Sequence, residues 1–131
     1  MAMTLERLAE FGDAWRDKNL DRLMEFMTDD CTFRASVGPE PGTTFRGRAE
    51  VRRGFELMLA YDAGFESHAG NAFIAGERGA GQWFYTRTDE DGQVHRVDGC
   101  DLYEFDGDRI RVKDAYRRVH GDIGHAPPHQ S

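Results

Sequence analysis

The spacing of apolar residues changes along this chain, from a helical period in the first half to strand-like segments after about residue 65. In the first half, apolar side chains recur every three or four positions, which predicts amphipathic helices at about residues 5–18, 20–28 and 48–61. Thr4 and Asn19 directly precede the first two segments. Their side chains can accept hydrogen bonds from the free amides of a first helical turn, so both are predicted N-caps.

The rest of the chain is typical of short strands separated by turns. Asp91-Gly92 and Asp106-Gly107 are typical of two-residue hairpin loops, and Gly38–Gly42, which contains two prolines, predicts a loop. Strands are predicted at residues 31–37, 65–75, 81–88, 93–105 and 109–119. This order of elements predicts an α+β fold in which three N-terminal helices pack on a curved antiparallel β-sheet.

The length and the net charge limit both the architecture and the partners. A chain of 131 residues suits one domain, which we predict at residues 1–119, followed by a flexible tail at residues 120–131. The 17 basic and 24 acidic residues give a formal net charge of -7, which repels phosphate backbones and anionic lipids. Neither a nucleic acid nor a membrane is therefore an expected partner. The N-terminus lacks a basic segment followed by an apolar run, so we expect a cytoplasmic protein.

The two cysteines and five histidines form no recognisable metal-binding pattern. Cys31 and Cys100 are isolated and lack a CxxC or Cys/His spacing, so both are expected to be structural thiols outside any zinc site or disulfide framework. Three histidines lie in the tail at irregular spacing, which is a weak signal for a metal. We therefore expect no metal and no cofactor.

Two aspartates in the last two strands alternate in phase with apolar and aromatic neighbours, which places each on a face that can be buried. If Asp106-Gly107 form a two-residue loop, Asp101 lies opposite Val112 and diagonal to Asp114, at a separation of roughly 7 to 8 Å. Two buried acids at that separation suit proton transfer or hydrogen-bond donation to an oxyanion. A three-residue loop would instead move the two acids to opposite faces.

Both aspartates also have a purely structural interpretation. Asp114 could pair with Arg87 or Arg117, and Asp101 could bond to backbone at an irregularity of its strand. Gly99, two positions before Asp101, favours a pocket, because a missing side chain leaves room for a ligand.

Three segments of the chain are "DAWRDKNLDRLMEFMTDDCTFRASVGPEPG", "FRGRAEVRRGF" and "GCDLYEFDGDRIRVKDAYRR". In these segments, and over roughly residues 5 to 119, the sequence resembles the SnoaL-like, or NTF2-like, family. The resemblance is specific for the fold. It implies a cone-shaped fold whose helices and curved sheet enclose a pocket for a small apolar organic molecule, with a homodimer formed through the sheet. Ketosteroid isomerases, polyketide cyclases, epoxide hydrolases and dehydratases share this fold, so the fold alone does not determine the reaction.

Compared with ketosteroid isomerases, "CDLYEF" is similar to the strand that carries the oxyanion-hole aspartate, which would be Asp101. The general-base aspartate of that family would fall on Ala35, and its oxyanion-hole tyrosine would fall on Phe11. An enzyme without the base cannot remove the steroid proton by that route, so ordinary steroid isomerisation is not expected. Limonene-type epoxide hydrolases need an Asp-Arg-Asp group. Its closing acid would fall on Ala115 or, with a one-residue slip, on Asp114, and its Arg-x-Asp part has no convincing counterpart.

The dehydratase branch resembles the sequence at "FGDAWRDKNLDRL" and "SHAGNAFI", which would assign catalytic roles to Asp13 and His68. A carboxylate bonded to an imidazole fixes its tautomer and raises its basicity, so the pair could act as a base. The alternative is that Asp13 is a solvated acid at the edge of the first helix and that His68 is a structural residue.

Counting residues outward from the hairpin loops predicts which side chains share a face of the sheet. A loop at Glu77-Arg78 places His68 on the face of Trp83 and Tyr85. A loop at Asp91-Gly92 places Asp101 on the face of Phe84. The two catalytic assignments therefore exclude each other unless a bulge intervenes.

Together these observations predict a cofactor-independent enzyme that transfers protons on a small apolar carbonyl or hydroxyl compound, as a lyase, isomerase or cyclase. Asp13 and His68 would act as the base, and Asp101 as a hydrogen-bond donor. The alternative is a non-catalytic module for ligand binding or dimerisation. The predicted substrate-binding residues are mainly aromatic: Phe11, Trp15, Phe33, Trp83, Phe84, Tyr85, Tyr103, Asp114 and Tyr116.

Overall fold

Three helices and six strands form the α+β fold expected from the sequence, in a computed structural model that describes residues 1–121 and 123–125. The helices are α1 (Leu5–Arg16), α2 (Leu20–Glu25) and α3 (Gly47–Tyr61). The strands are β1 (Met27–Arg34), β2 (Thr44–Arg46), β3 (Glu66–Ala75), β4 (Arg78–Thr88), β5 (Val94–Asp106) and β6 (Arg109–Arg117).

Side chains cap the first two helices as predicted. The hydroxyl oxygen of Thr4 accepts a hydrogen bond from the backbone amide of Arg7 at 3.1 Å, and Asn19 Oδ1 accepts one from the amide of Arg22 at 3.1 Å. Each bond satisfies an amide that has no partner within its helix.

The second helix is shorter than predicted, and β1 begins at Met27, within the predicted helix. Phe26 and Met27 are fully buried, and the carbonyl of Phe26 accepts a hydrogen bond from the amide of Ile110 at 2.7 Å. Pairing with β6 therefore overrides the local helical spacing.

The strands form one curved six-stranded sheet in the order β2-β1-β6-β5-β4-β3. Neighbouring strands are antiparallel, except that β1 runs parallel to β6. The short strand β2 was not predicted, because it has only three residues and is held by pairing with β1.

The hairpin between β5 and β6 has a different register from the one predicted. Asp106 pairs with Arg109, so the turn residues are Gly107 and Asp108, and a bulge leaves Arg111 without a cross-strand partner. Asp101 consequently lies opposite Ala115 rather than Val112. The predicted diagonal pair of acids is wrong, since the bulge moves Asp114 to the outer face of the sheet.

The inner face of the sheet carries the core. Its largest fully buried side chains include Phe26, Phe33 and Phe55, and α3 packs against β1. Gly54 allows Phe45 to pack against α3, because a Cβ at Gly54 would lie 2.6 Å from the Phe45 ring.

At the end of the described chain, Ile123–His125 form a short 3-10 turn. Residues 122 and 126–131, which carry most of the predicted flexible tail, lie outside the described residues. In the part of the chain that the structure describes, no helix is long and apolar enough to cross a membrane. Cys31 is buried and Cys100 half-buried, and both are free thiols.

Candidate functional site

A cavity of about 380 Å³ lies between α1 and the inner face of the sheet. Its wall is mainly apolar, with a few polar groups, which is typical of sites for small organic molecules. Six predicted aromatic residues line it: Phe11, Trp15, Phe33, Trp83, Tyr85 and Tyr103.

Three other predicted substrate-binding residues do not line this cavity. Asp114 and Tyr116 lie on the outer face as a consequence of the bulge at Arg111, and the Tyr116 side chain bonds to Asp114. Phe84 also faces outward, where its ring stacks on His68. All three therefore lie outside this cavity, which contradicts their predicted place on its wall.

A buried charged centre occupies the cavity wall where β5 and β6 pair. Lys113 Nζ donates a hydrogen bond to Asp101 Oδ1 at 3.1 Å, and Tyr103 Oη donates one to Asp101 Oδ2 at 3.1 Å. Asp101 is 4% exposed and Lys113 is 5% exposed. Lys113 Nζ also lies 4.6 Å from the ring centre of Trp15 and 5.1 Å from that of Phe33.

These contacts define the hydrogen-bonding role of Asp101. Burial raises the pKa of the Tyr103 hydroxyl well above 10, and the charge and hydrogen bond of Asp101 raise it further. Tyr103 therefore remains a hydrogen-bond donor, while the Lys113 ammonium compensates the carboxylate. Asp101 is an acceptor from two groups, which reverses the donor role predicted for it.

A second ion pair lies beside the cavity, whose lining includes Arg117 and Ser36. Arg117 binds Asp62 through two hydrogen bonds, of 2.8 and 3.1 Å, and its Nε donates to Ser36 Oγ at 3.2 Å. Burial by itself would lower the pKa of Arg117, but the hydrogen bonds and charge of Asp62 outweigh it and raise that pKa. The pair ties β6 to the end of α3.

Trp15 and Tyr85 connect α1 to the sheet. Trp15 Nε1 donates a hydrogen bond to Tyr85 Oη at 2.8 Å. Burial is the main reason that the pKa of Tyr85 is raised, and the Asp62 charge adds to it, so the hydroxyl stays protonated. This contact fixes two aromatic walls of the cavity.

The predicted dyad of Asp13 and His68 is not assembled. Both residues border the cavity, but the Asp13 carboxylate is 58% exposed and pairs with Arg16 at 3.2 Å. The ring of His68 stacks on the ring of Phe84, with 4.7 Å between the two ring centres, and His68 Nε2 lies 2.9 Å from the Thr86 hydroxyl oxygen. Among the described residues, no hydrogen bond joins Asp13 to His68.

The hairpin connections explain why the predicted faces are wrong. Ala75 pairs with Arg78, and a bulge between residues 69 and 72 then places His68 opposite Phe84. Thr88 pairs with Val94, so the next connection has five residues and places Asp101 opposite Gly81. Asp101 therefore shares the face of Trp83 and Tyr85, and His68 does not.

Sequence reasoning missed Lys113 and the pair of Arg117 with Asp62. Simple alternation from Asp114 assigned Lys113 to the opposite, outer face, because the bulge at Arg111 is not visible in the apolar pattern. Among the described residues, no cluster of three or more His, Cys, Asp or Glu side chains could hold a metal ion.

Comparison with known proteins identifies the family. The sequence model of the SnoaL-like domain matches residues 8–113. The chain belongs to the SnoaL-like domain family. No curated protein matches it in sequence.

Solved structures with the same fold are distant in sequence. An NTF2-like protein of unknown function from Mesorhizobium loti is 24% identical, with 87% of this chain and 89% of that chain covered and a TM-score of 0.69. A protein with a ketosteroid isomerase-like fold from Catenulispora acidiphila, solved in complex with trimethylamine, is 21% identical, with coverages of 87% and 86% and a TM-score of 0.65. A provisionally named polyketide cyclase from Xanthomonas campestris pv. campestris is 14% identical, with coverages of 85% and 87% and a TM-score of 0.65. These likenesses establish the fold alone.

Proposed function

We propose that this SnoaL-like domain is an enzyme that transfers protons on a small, largely apolar carbonyl compound. The observation that carries the proposal is a buried carboxylate, Asp101, on the wall of an apolar cavity with two hydrogen-bond donors beside it. A buried titratable group on the wall of a cavity, with a specific charged partner, is a candidate functional group. The predicted classes of reaction, lyase, isomerase and cyclase, all remain within this chemistry.

The geometry suggests a role for each group. The Asp101 carboxylate would remove the proton from the carbon next to the carbonyl group, since a base shielded from water is suited to this transfer. Lys113 and Tyr103 both donate to Asp101, and either could redirect its hydrogen to the oxygen of the enolate that forms. The negative charge would then move from Asp101 to an oxygen that the same two donors stabilise.

Ring closure by an enolate is one reaction that this centre would support. The enolate carbon would attack a second carbonyl group of the same molecule, and the new alkoxide would take the proton held by Asp101. The provisional name of the Xanthomonas campestris protein, a polyketide cyclase, agrees with this class.

The proposal can be tested without knowledge of the natural substrate. The protein is incubated in D₂O with acetophenone, 1-indanone and 2-decalone, and deuterium next to the carbonyl is measured by NMR. We expect exchange faster than in buffer, and its loss in Asp101→Asn. The matched control is Asp114→Asn, because Asp114 lies on the adjacent strand but faces outward. Equal exchange in all three proteins, or none above buffer, contradicts the proposal.

A non-catalytic binding module is the second candidate. It is favoured by the observation that, among the described residues, every buried side-chain nitrogen and oxygen already has a hydrogen-bond partner. Such a centre could serve only to hold the fold and shape the cavity. Binding of the ketones, detected by quenching of tryptophan fluorescence, without any exchange would favour this candidate.

The homodimer and the cytoplasmic location remain predictions. The outer face of the sheet exposes Leu102 and Tyr116, at 47% and 53%, and it would be the contact surface. Sedimentation velocity of the full chain would test the dimer.

A further inference from the structure

We propose that Lys113 reacts covalently with aldehydes and ketones in the cavity and forms an imine. The inference deepens the proposed function and rests on its premise that the cavity accepts carbonyl compounds. It assigns to Lys113 a nucleophilic role in addition to hydrogen bonding.

The buried cation on the cavity wall is a lysine, although almost all basic residues of this chain are arginines. The chain contains two lysines and fifteen arginines, which together make its 17 basic residues. Arginine is the usual partner for a carboxylate in a buried ion pair, because its planar group forms two parallel hydrogen bonds. The pair of Arg117 with Asp62 follows that rule, whereas the cavity wall carries Lys113. A primary amine can form an imine, and a guanidinium that stays protonated cannot.

The amine of Lys113 lies among apolar side chains of the cavity wall. Lys113 lines the cavity, and the rings of Trp15 and Phe33 lie 4.6 and 5.1 Å from its Nζ. These apolar walls limit access of water, so a carbon–nitrogen double bond formed here would be protected from hydrolysis. The other lysine, Lys18, is exposed at the end of α1 and does not border this cavity.

The neighbouring acid supplies the proton transfers. Asp101 Oδ1, 3.1 Å from Lys113 Nζ, accepts a proton from the ammonium and leaves a neutral amine. The nitrogen lone pair attacks the carbonyl carbon, the carbon–oxygen π bond breaks, and Asp101 returns the proton to the oxygen through Tyr103 or directly. The carbinolamine then takes up the second nitrogen proton at its oxygen by the same route and expels water. The sum converts an ammonium and a carbonyl compound into a protonated imine and one water.

Charge is conserved in this sequence. The protonated imine carries the same single positive charge as the ammonium that it replaces, so the ion pair with Asp101 survives. The imine also withdraws electrons from the adjacent carbon more strongly than the carbonyl, which would make its proton easier for Asp101 to remove.

Benzaldehyde and sodium cyanoborohydride provide the test, because benzaldehyde has no proton on the adjacent carbon and so reports imine formation alone. After reduction, peptide mapping by mass spectrometry locates each benzyl group. We expect the folded wild-type protein to carry benzyl on Lys113 several times more often than on Lys18. Lys18→Arg should leave that labelling unchanged, and Lys113→Arg should abolish it while circular dichroism shows a retained fold.

Labelling confined to Lys18 and the N-terminal amine, or no labelling, overturns the inference. The result is read together with deuterium exchange of 1-indanone in the same wild-type protein. Deuterium exchange without labelling of Lys113 contradicts imine formation but agrees with the proposed function. Absence of both removes the two proposals together.

Discussion

Replacing Lys113 with methionine should destabilise the protein strongly. The substitution keeps a side chain of similar length but removes the cation that lies 3.1 Å from a carboxylate with 4% exposure. Removing one partner of a buried ion pair leaves an uncompensated charge, which typically costs about 3 to 5 kcal/mol. For a chain of this length each kcal/mol lowers the Tm by about 4 °C, so we expect a decrease of roughly 10 to 20 °C.

Urea unfolding followed by circular dichroism at pH 7.5 measures this loss. The control is Arg53→Met, which breaks an exposed ion pair with Glu56 of 2.7 Å and should cost less than about 1 kcal/mol. The double variant Lys113→Met/Asp101→Asn should regain much of the stability, because the amide is neutral and its oxygen still accepts the bond from Tyr103. Two results would contradict a stabilising role of the buried ion pair. One is that Lys113→Met destabilises the protein no more than Arg53→Met, and the other is that the double variant is less stable than Lys113→Met.

Three further changes have expected outcomes. Gly99→Ala should lower the free energy of unfolding in urea by roughly 1 to 3 kcal/mol and shift the Trp83 fluorescence emission, because the new Cβ would lie 2.3 Å from the Trp83 ring. An unchanged urea midpoint and spectrum would refute this packing. Gly12→Ala should instead add about 0.5 to 1 kcal/mol, because its Cβ meets no atom within 4 Å and alanine favours helix; a loss of stability would contradict it. Tyr103→Phe should flatten the loss of stability at high pH. Because the pKa of the buried Tyr103 hydroxyl is raised, its contribution to stability is present below about pH 10 and is lost as the pH rises further. Equal urea midpoints of wild type between pH 8 and 10.5 would count against it.

The local signals in the sequence predicted the elements well. Capping by Thr4 and Asn19, the third helix and the four long strands depend on neighbouring residues, so they can be recognised without knowledge of the fold. The α+β class and the SnoaL-like resemblance are likewise confirmed.

The register of the strands could not be predicted, because it depends on turns whose lengths are set by a few side chains. Asp89 Oδ1 accepts hydrogen bonds from the amides of Asp91 and Gln93, which stabilises a five-residue connection where a two-residue loop was expected. A change of one residue moves every following side chain to the other face.

The same effect decided which residues form the candidate site. The bulge at Arg111 brought Lys113 to the cavity and removed Asp114 from it. The shift within β3 separated His68 from the inner face. The sequence predicts Asp101 and six aromatic residues as site residues, and all seven line the cavity. The partner of Asp101, Lys113, could not be predicted because its position depends on the bulge.

A crystal structure of the protein with 1-indanone would test the central claim most directly. We predict that the carbonyl carbon lies beside Lys113 Nζ and that the adjacent carbon faces the Asp101 carboxylate, within the walls of Trp15 and Phe33. A ketone bound instead against Asp13, with the Lys113 and Asp101 pair untouched, would contradict the claim that this pair is the reactive centre.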